Sequence, residues 1–374
     1  MAKRGSGAGL LRSLAKLGRT QQRAAQKIMS GMMGLPAAPV RKKAVRKAVA
    51  KTSPAAVKTP RVRTPAAAPV APGKWLAGQE LIAAPGAAPR RMSYWLYLPS
   101  TMAALAPGEG LPLVVMLHGC HQSATEFAQG TRMNAVAEKK GYAVLYPQQS
   151  SSVHAQRCWR WFDRATQQGG GDVQPIATVL AKVLNGYPID RRRIYLCGIS
   201  AGAAMANIFA LNYPDLVAAI GLHSGPVFGA GNGTIGALGV MQHGGGARAA
   251  QAIQELLARR ADFPLMPTIL IQGAGDTVVR AVNQQQLVQQ SLLLNGLPAN
   301  TPPRVKVLPG AQRGRRYGHE IRDYYLGRKL VLRVAHIDEM EHAWSGGDER
   351  LAFNAKAGPD ASRMVLEFFS KHRR

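Results

Sequence analysis

The chain has only three cysteines in 374 residues, and no Asp or Glu at all before Glu80. Cys120, Cys158 and Cys197 are too few for a disulfide framework and lack the paired spacing of metal ligands, so neither a metal nor another cofactor is expected. One bridge is compatible with an oxidising compartment, and buried free thiols with a reducing one. No apolar run approaches the roughly 18 residues of a membrane span. A secretory leader is not expected either, because Lys16, Arg19 and Arg23 interrupt the apolar stretch that would follow basic residues 1–12. These absences favour a cytoplasmic or granule-associated protein over an exported one.

The missing acids leave the first part of the chain strongly basic. Lys and Arg recur from Lys3 through Lys74 among Ala, Pro, Val and Thr, so this stretch holds much of the net charge of +28. Within residues 10–33, Leu10, Leu11, Leu14, Leu17, Ala24, Ala25, Ile28, Met29 and Met32 fall at near-helical spacing with Arg12, Lys16, Arg19, Arg23 and Lys27 between them, which predicts a basic amphipathic helix. From Pro36 to about Pro72 the composition is too poor in apolar residues to offset the entropy of ordering, which predicts a disordered linker. The chain is therefore divided into a basic tail, residues 1–75, and a catalytic domain, residues 76–374. The tail is either a solvated extension or an anchor for an anionic membrane surface, a polymer granule or nucleic acid.

What is present in the body is an alternation of short apolar runs with helical patterns, the signature of an α/β fold with a mostly parallel sheet flanked by helices. Strands are expected at residues 93–98, 113–117, 142–146, 193–197, 217–222, 268–271 and 330–335. Helices are expected at 124–139, 173–184, 201–211, 249–259, 284–294 and 361–371. The strand candidates are nearly all apolar, as central strands buried on both faces are.

One of these strands runs into Gly198-Ile199-Ser200-Ala201-Gly202, with a helix rich in small residues beyond it. The arrangement is that of a nucleophile elbow, whose tight turn exposes a serine at a helix N-terminus. A serine hydroxyl becomes nucleophilic when a histidine removes its proton, and a carboxylate fixes the histidine tautomer. In the order Ser, acid, His, Asp276 follows the strand candidate 268–271 and His342 lies in a loop before the last helix. Asp323, Asp338, Glu341 and Asp348 compete for the acid, and His118, His223, His319 and His336 for the base. Chain order favours Asp276 and His342. The loop Leu117-His118-Gly119-Cys120 is expected to aim the backbone N–H of Cys120 at a developing oxyanion, with the N–H of Ala201 as second donor.

With these residues in place the chain resembles the polyhydroxybutyrate depolymerase family of esterases, whose type 1 catalytic domains are also similar to feruloyl and acetylxylan esterases. The resemblance rests on Leu117-His118-Gly119-Cys120, Gly130-Thr131-Arg132-Met133-Asn134, Cys158-Trp159-Arg160-Trp161-Phe162, Gly198 to Met205, His223-Ser224-Gly225, His342 to Gly347 and Gly358 to Ser362. It implies an α/β-hydrolase fold, the triad Ser200, Asp276 and His342, and ester hydrolysis through an acyl-enzyme. Two departures stand out: Gln272-Gly273-Ala274-Gly275-Asp276 where the family usually has His-Gly-Asp-Ala-Asp, and His121 where Gly is common. Trp159, Trp161 and Trp344 lie beside the family's site motifs and are expected either to pack the core or to contact an acyl or polymer chain. Cys120 and Cys158 each fall in a matching motif, which suggests a bridge between them.

The leading expectation is thus an esterase acting on short-chain poly(3-hydroxyalkanoate) polymers or oligomers. Feruloyl or acetylxylan esters are the other substrate reading. A reading of a different class is an inactive hydrolase fold that binds granules or nucleic acid through the tail, against which the complete triad argues.

Overall fold

The computed structural model describes residues 71–84, 87–311 and 316–374. The expected tail helix at 10–33 and the linker after it lie outside the described residues.

Strands β1 (Lys74–Ala84), β2 (Ala87–Leu98), β3 (Leu111–Leu117), β4 (Ala143–Pro147), β5 (Ile189–Ile199), β6 (Ala219–His223), β7 (Thr268–Gly273), β8 (Arg304–Leu308), β9 (His319–Leu326) and β10 (Lys329–Ile337) form one sheet. Their order is β1-β2-β4-β3-β5-β6-β7-β10-β9-β8. The six central strands, β4, β3, β5, β6, β7 and β10, pair in parallel, and the margins pair antiparallel. Every residue of β3, β4, β6 and β7 is buried, so the apolar runs read from the sequence are strands covered on both faces.

Helices α1 (Ala124–Thr131), α2 (Met133–Lys140), α3 (Val173–Gly186), α4 (Ala201–Asn212), α5 (Gly233–His243), α6 (Ala247–Arg259), α7 (Ala281–Leu294) and α8 (Ala361–Phe369) cover the sheet. Along β3, Leu113, Val115 and Leu117 belong to the core on the side of α3, α4 and α7, while Val114 and Met116 belong to the core on the side of α1, α2 and α8. That alternation follows from the two-residue period of a strand. The single helix expected at 124–139 is two. Arg132 adopts a left-handed conformation (φ 55°) that ends α1 and starts α2.

Sequence patterning missed β1, β8, β9 and α5. Lys74, where β1 begins, falls inside the range assigned to the tail. The missed strands lie at the margins, where charged residues such as Arg304, Lys306, Glu320, Arg322 and Asp323 interrupt the apolar signal. The parallel centre matters most for function. It brings the C-terminal ends of β3, β5, β7 and β10 to one edge, where ligands of open α/β sheets bind.

Candidate active site

Ser200 stands between the end of β5 and the start of α4 with φ 58° and ψ −125°, a conformation that a residue with a side chain adopts only under constraint. Its N–H donates to the His223 carbonyl (2.9 Å), which pins the turn to the end of β6. The flanking glycines have a steric cause. A Cβ on Gly202 would stand 2.0 Å from the Leu117 oxygen, and one on Gly198 would stand 2.4 Å from the Gly202 carbonyl carbon. Only glycine lets α4 cross β3 and β5 this closely.

Asp276 follows β7 and is buried with four hydrogen-bond donors around its carboxylate. The N–H groups of Val278 (3.0 Å) and Val279 (2.9 Å) donate to Oδ1. Gln272 Nε2 (3.0 Å) and His342 Nδ1 (2.8 Å) donate to Oδ2. Donation of Nδ1–H to the carboxylate leaves the lone pair of His342 on Nε2. That atom is buried and has no hydrogen-bond partner among the described residues, and His342 and Ser200 line the same narrow cleft. Gln272, one of the two departures from the family pattern, thus hydrogen-bonds Asp276 directly. Glu341 lies close enough to Asp276 to feel its charge. Burial, with that charge adding to it, raises the Glu341 pKa.

The loop after β3 forms the far wall of the cleft, with Gly119, Cys120 and Gln122 facing Ser200. Gly119 N–H donates to Gln122 Oε1 (2.9 Å), and the loop is tied to the next segment by a Cys120–Cys158 disulfide. Cys197 is the free, buried thiol. The N–H groups of Cys120 and Ala201 have no backbone acceptor among the described residues.

The competing histidines hold the frame instead. His118 is fully buried. Its Nδ1–H donates to the Gly119 carbonyl (2.8 Å), and its Nε2 accepts from Gln149 N–H (3.1 Å). Burial pushes its pKa down to about 4. His223 stacks on Trp344 and accepts from Ser345 N–H (3.2 Å) through Nε2, so it fixes the loop that carries His342. Burial, then the nearby His342, push its pKa down to about 3. His319 and His336 lie on β9 and β10. Of the competing acids, Asp323 and Asp348 are paired with Arg333 and Arg350.

The expectation of substrate contact by Trp159, Trp161 and Trp344 is corrected. Their exposures are 0%, 2% and 1%, so none offers a face to a ligand. Trp159 Nε1 donates to the His118 carbonyl (3.0 Å), and Trp344 Nε1 to Ser362 Oγ (3.1 Å). Being large and apolar with one donor, each is satisfied within the core. The aromatic residue in the cleft is Phe353, which sequence reasoning missed. It sits in no matched motif, and its left-handed backbone (φ 63°) carries no sequence signal.

Residues 92–307 match the family model described as Esterase PHB depolymerase. The poly(3-hydroxyalkanoate) depolymerase C of Paucimonas lemoignei is 29% identical over 217 residues, covering 57% of this chain and 50% of that protein. A probable acetylxylan esterase A of Aspergillus fumigatus is 33% identical over 142 residues, covering 37% of this chain and 36% of that protein. The chain therefore spans half or less of the length of these relatives. Among solved structures, the acetyl xylan esterase from Aspergillus awamori superposes with a TM-score of 0.51 at 18% identity, covering 71% of this chain and 94% of the other. That likeness, with the strand order above, shows an α/β-hydrolase fold.

Proposed function

The chain belongs to the Esterase PHB depolymerase family, and from that premise we propose that it is a serine carboxylic ester hydrolase acting through an acyl-enzyme on short-chain hydroxyalkanoate polymers or oligomers. One observation carries the chemistry. The unpartnered Nε2 of His342, oriented by Asp276, lines the same cleft as Ser200.

In this reading Ser200 Oγ attacks the ester carbonyl while His342 Nε2 takes its proton. Negative charge develops on the carbonyl oxygen, and the N–H groups of Cys120 and Ala201 stabilise it. His342 returns the proton to the departing alkoxide, which leaves as an alcohol. Water, deprotonated by the same imidazole, then attacks the acyl-enzyme and releases the acid. Asp276 keeps Nδ1 protonated and stabilises the imidazolium formed in each half-reaction.

The narrowness of the cleft, with Phe353 on its wall, supports a short acyl group. Hydroxybutyrate units and acetyl groups both satisfy that requirement, and the relatives named above include both a polyhydroxyalkanoate depolymerase and an acetylxylan esterase. Activity on p-nitrophenyl butyrate is expected to fall at least about 1,000-fold in Ser200→Ala. Equal rates for the two proteins would sink the esterase reading. Hydroxybutyrate trimer tested beside acetylated xylan and feruloyl esters decides the substrate class.

The basic residues 1–75 are proposed to hold a partner rather than substrate. A polymer granule, an anionic membrane surface and nucleic acid all suit their charge. Among the described residues no helix is long and apolar enough to cross a membrane.

A further inference from the structure

Two basic runs that lie far apart in sequence meet at the edge of the sheet opposite Ser200. Arg191-Arg192-Arg193 opens β5, and Lys371-His372-Arg373-Arg374 follows α8. Arg374 N–H donates to the Arg192 carbonyl (2.9 Å), and Tyr195 O–H donates to the His372 carbonyl (2.7 Å). Together they line an open groove of about 1130 Å³, with Tyr187 on its wall.

The charge balance in this groove is one-sided. Its cations are Arg191, Arg192, Arg193, Lys371 and Arg373, and its acids are Asp190 and Glu109. Asp190 is shared, 2.6 Å from Arg193 Nε and 3.8 Å from Arg192 Nε. Glu109 accepts from Ala106 N–H within its own turn. Arg191 donates only to neutral acceptors, the Leu184 carbonyl and Asn185 Oδ1. Lys371 and Arg373 are exposed and form no ion pair among the described residues. Buried His372, its pKa pushed down to about 3 by desolvation, adds no charge at neutral pH.

The acid-free segment joins the body at this same edge. β1 starts at Lys74 opposite Leu98, four strand spacings from β5, or about 19 Å at 4.8 Å per spacing. The rest of β5 separates the groove from Ser200: Arg193 and Ser200 are seven residues apart, about 23 Å at 3.3 Å per residue. A ligand there leaves the catalytic cleft open.

We propose that this groove binds the phosphodiester backbone of a nucleic acid. The guanidinium groups of Arg191 and Arg373, without carboxylate partners among the described residues, suit phosphate oxygens, and half-buried Tyr187 lines the same groove. A lipid surface would need apolar side chains to insert beside the cations. None of the large exposed apolar residues, Leu81, Ile235, Val305, Val307 and Leu326, lines the groove. The proposal is independent of the esterase reading.

The test uses the full chain and a variant with Arg192→Glu, Lys371→Glu and Arg373→Glu. Fluorescence anisotropy measures binding of a labelled 20-nucleotide single strand between 50 and 200 mM salt, and sedimentation with phosphatidylglycerol vesicles forms the second arm. Circular dichroism and the thermal unfolding midpoint confirm that the variant is folded. The expected result is at least tenfold weaker binding of the strand by the variant, with a salt slope shallower by about 2, as three lost phosphate contacts require. Equal affinity and slope in the two proteins would overturn the groove assignment. So would groove-dependent vesicle binding without binding of the strand.

Discussion

The two edges of the parallel sheet are built on opposite principles. At the C-terminal edge the titratable groups are buried and, apart from His342 Nε2, held by hydrogen bonds: Asp276 has four donors, His118 and His223 each bridge two segments, and glycines allow backbones to touch. At the N-terminal edge the charges are exposed and outnumber their partners. Catalysis needs groups fixed before the reaction begins, whereas a polyanion is attracted by charge that water still reaches. The difference predicts that substitutions at the first edge cost far more than substitutions at the second.

The largest effect is expected from Asp276→Asn, which preserves size but removes the charge that orients His342. kcat on p-nitrophenyl butyrate should fall about 10,000-fold, as loss of this function does in other triads. A change of less than tenfold would move the acid's role to a neighbour such as Glu341.

A paired glycine substitution compares the edges through stability. Gly202→Ala places a Cβ against two main-chain oxygens, 2.0 Å from Leu117 and 2.5 Å from His118, and should cost more than about 3 kcal/mol in urea unfolding. Gly186, which ends α3 just before β5, has nothing within 4 Å of the point where an alanine methyl would stand. Gly186→Ala should be neutral or stabilise by up to about 1 kcal/mol. Similar losses at both positions would erase the contrast.

Acid sensitivity is the effect the two edges share. The folded-state pKa values of His118, His223 and His372 are lowered to about 4, 3 and 3. The unfolded chain therefore takes up their protons first as pH drops. Stability from these groups is complete above about pH 6.5 and is lost as pH falls toward the folded values, at roughly 1.4 kcal/mol per pH unit for each. Denaturant midpoints measured from pH 7 to pH 5 should decline, and a flat profile would mean that these imidazoles are hydrated in the folded state.

The elbow around Ser200 was legible because sterics write it into the sequence. Strand, Gly198, Ser200, Gly202 and helix occur together where an L-residue at positive φ must stand between crossing backbones. The central strands were legible for a related reason, since burial on both faces leaves them few polar residues. That Asp276 and His342 meet was expected from chain order, since each follows a strand of the parallel centre.

Tertiary structure alone decided the rest. Whether Trp159, Trp161 and Trp344 face substrate or core depends on what packs over them, and an aromatic residue looks the same in sequence in either place. Phe353 reaches the cleft, Gln272 reaches Asp276, and Arg192 meets Arg374 only after the sheet has closed distances that span up to about half of the chain. Sequence determined the local chemistry of each segment, because sterics and burial act residue by residue. Which segments share a site was left to packing, because contacts across a sheet depend on strand order rather than on spacing along the chain.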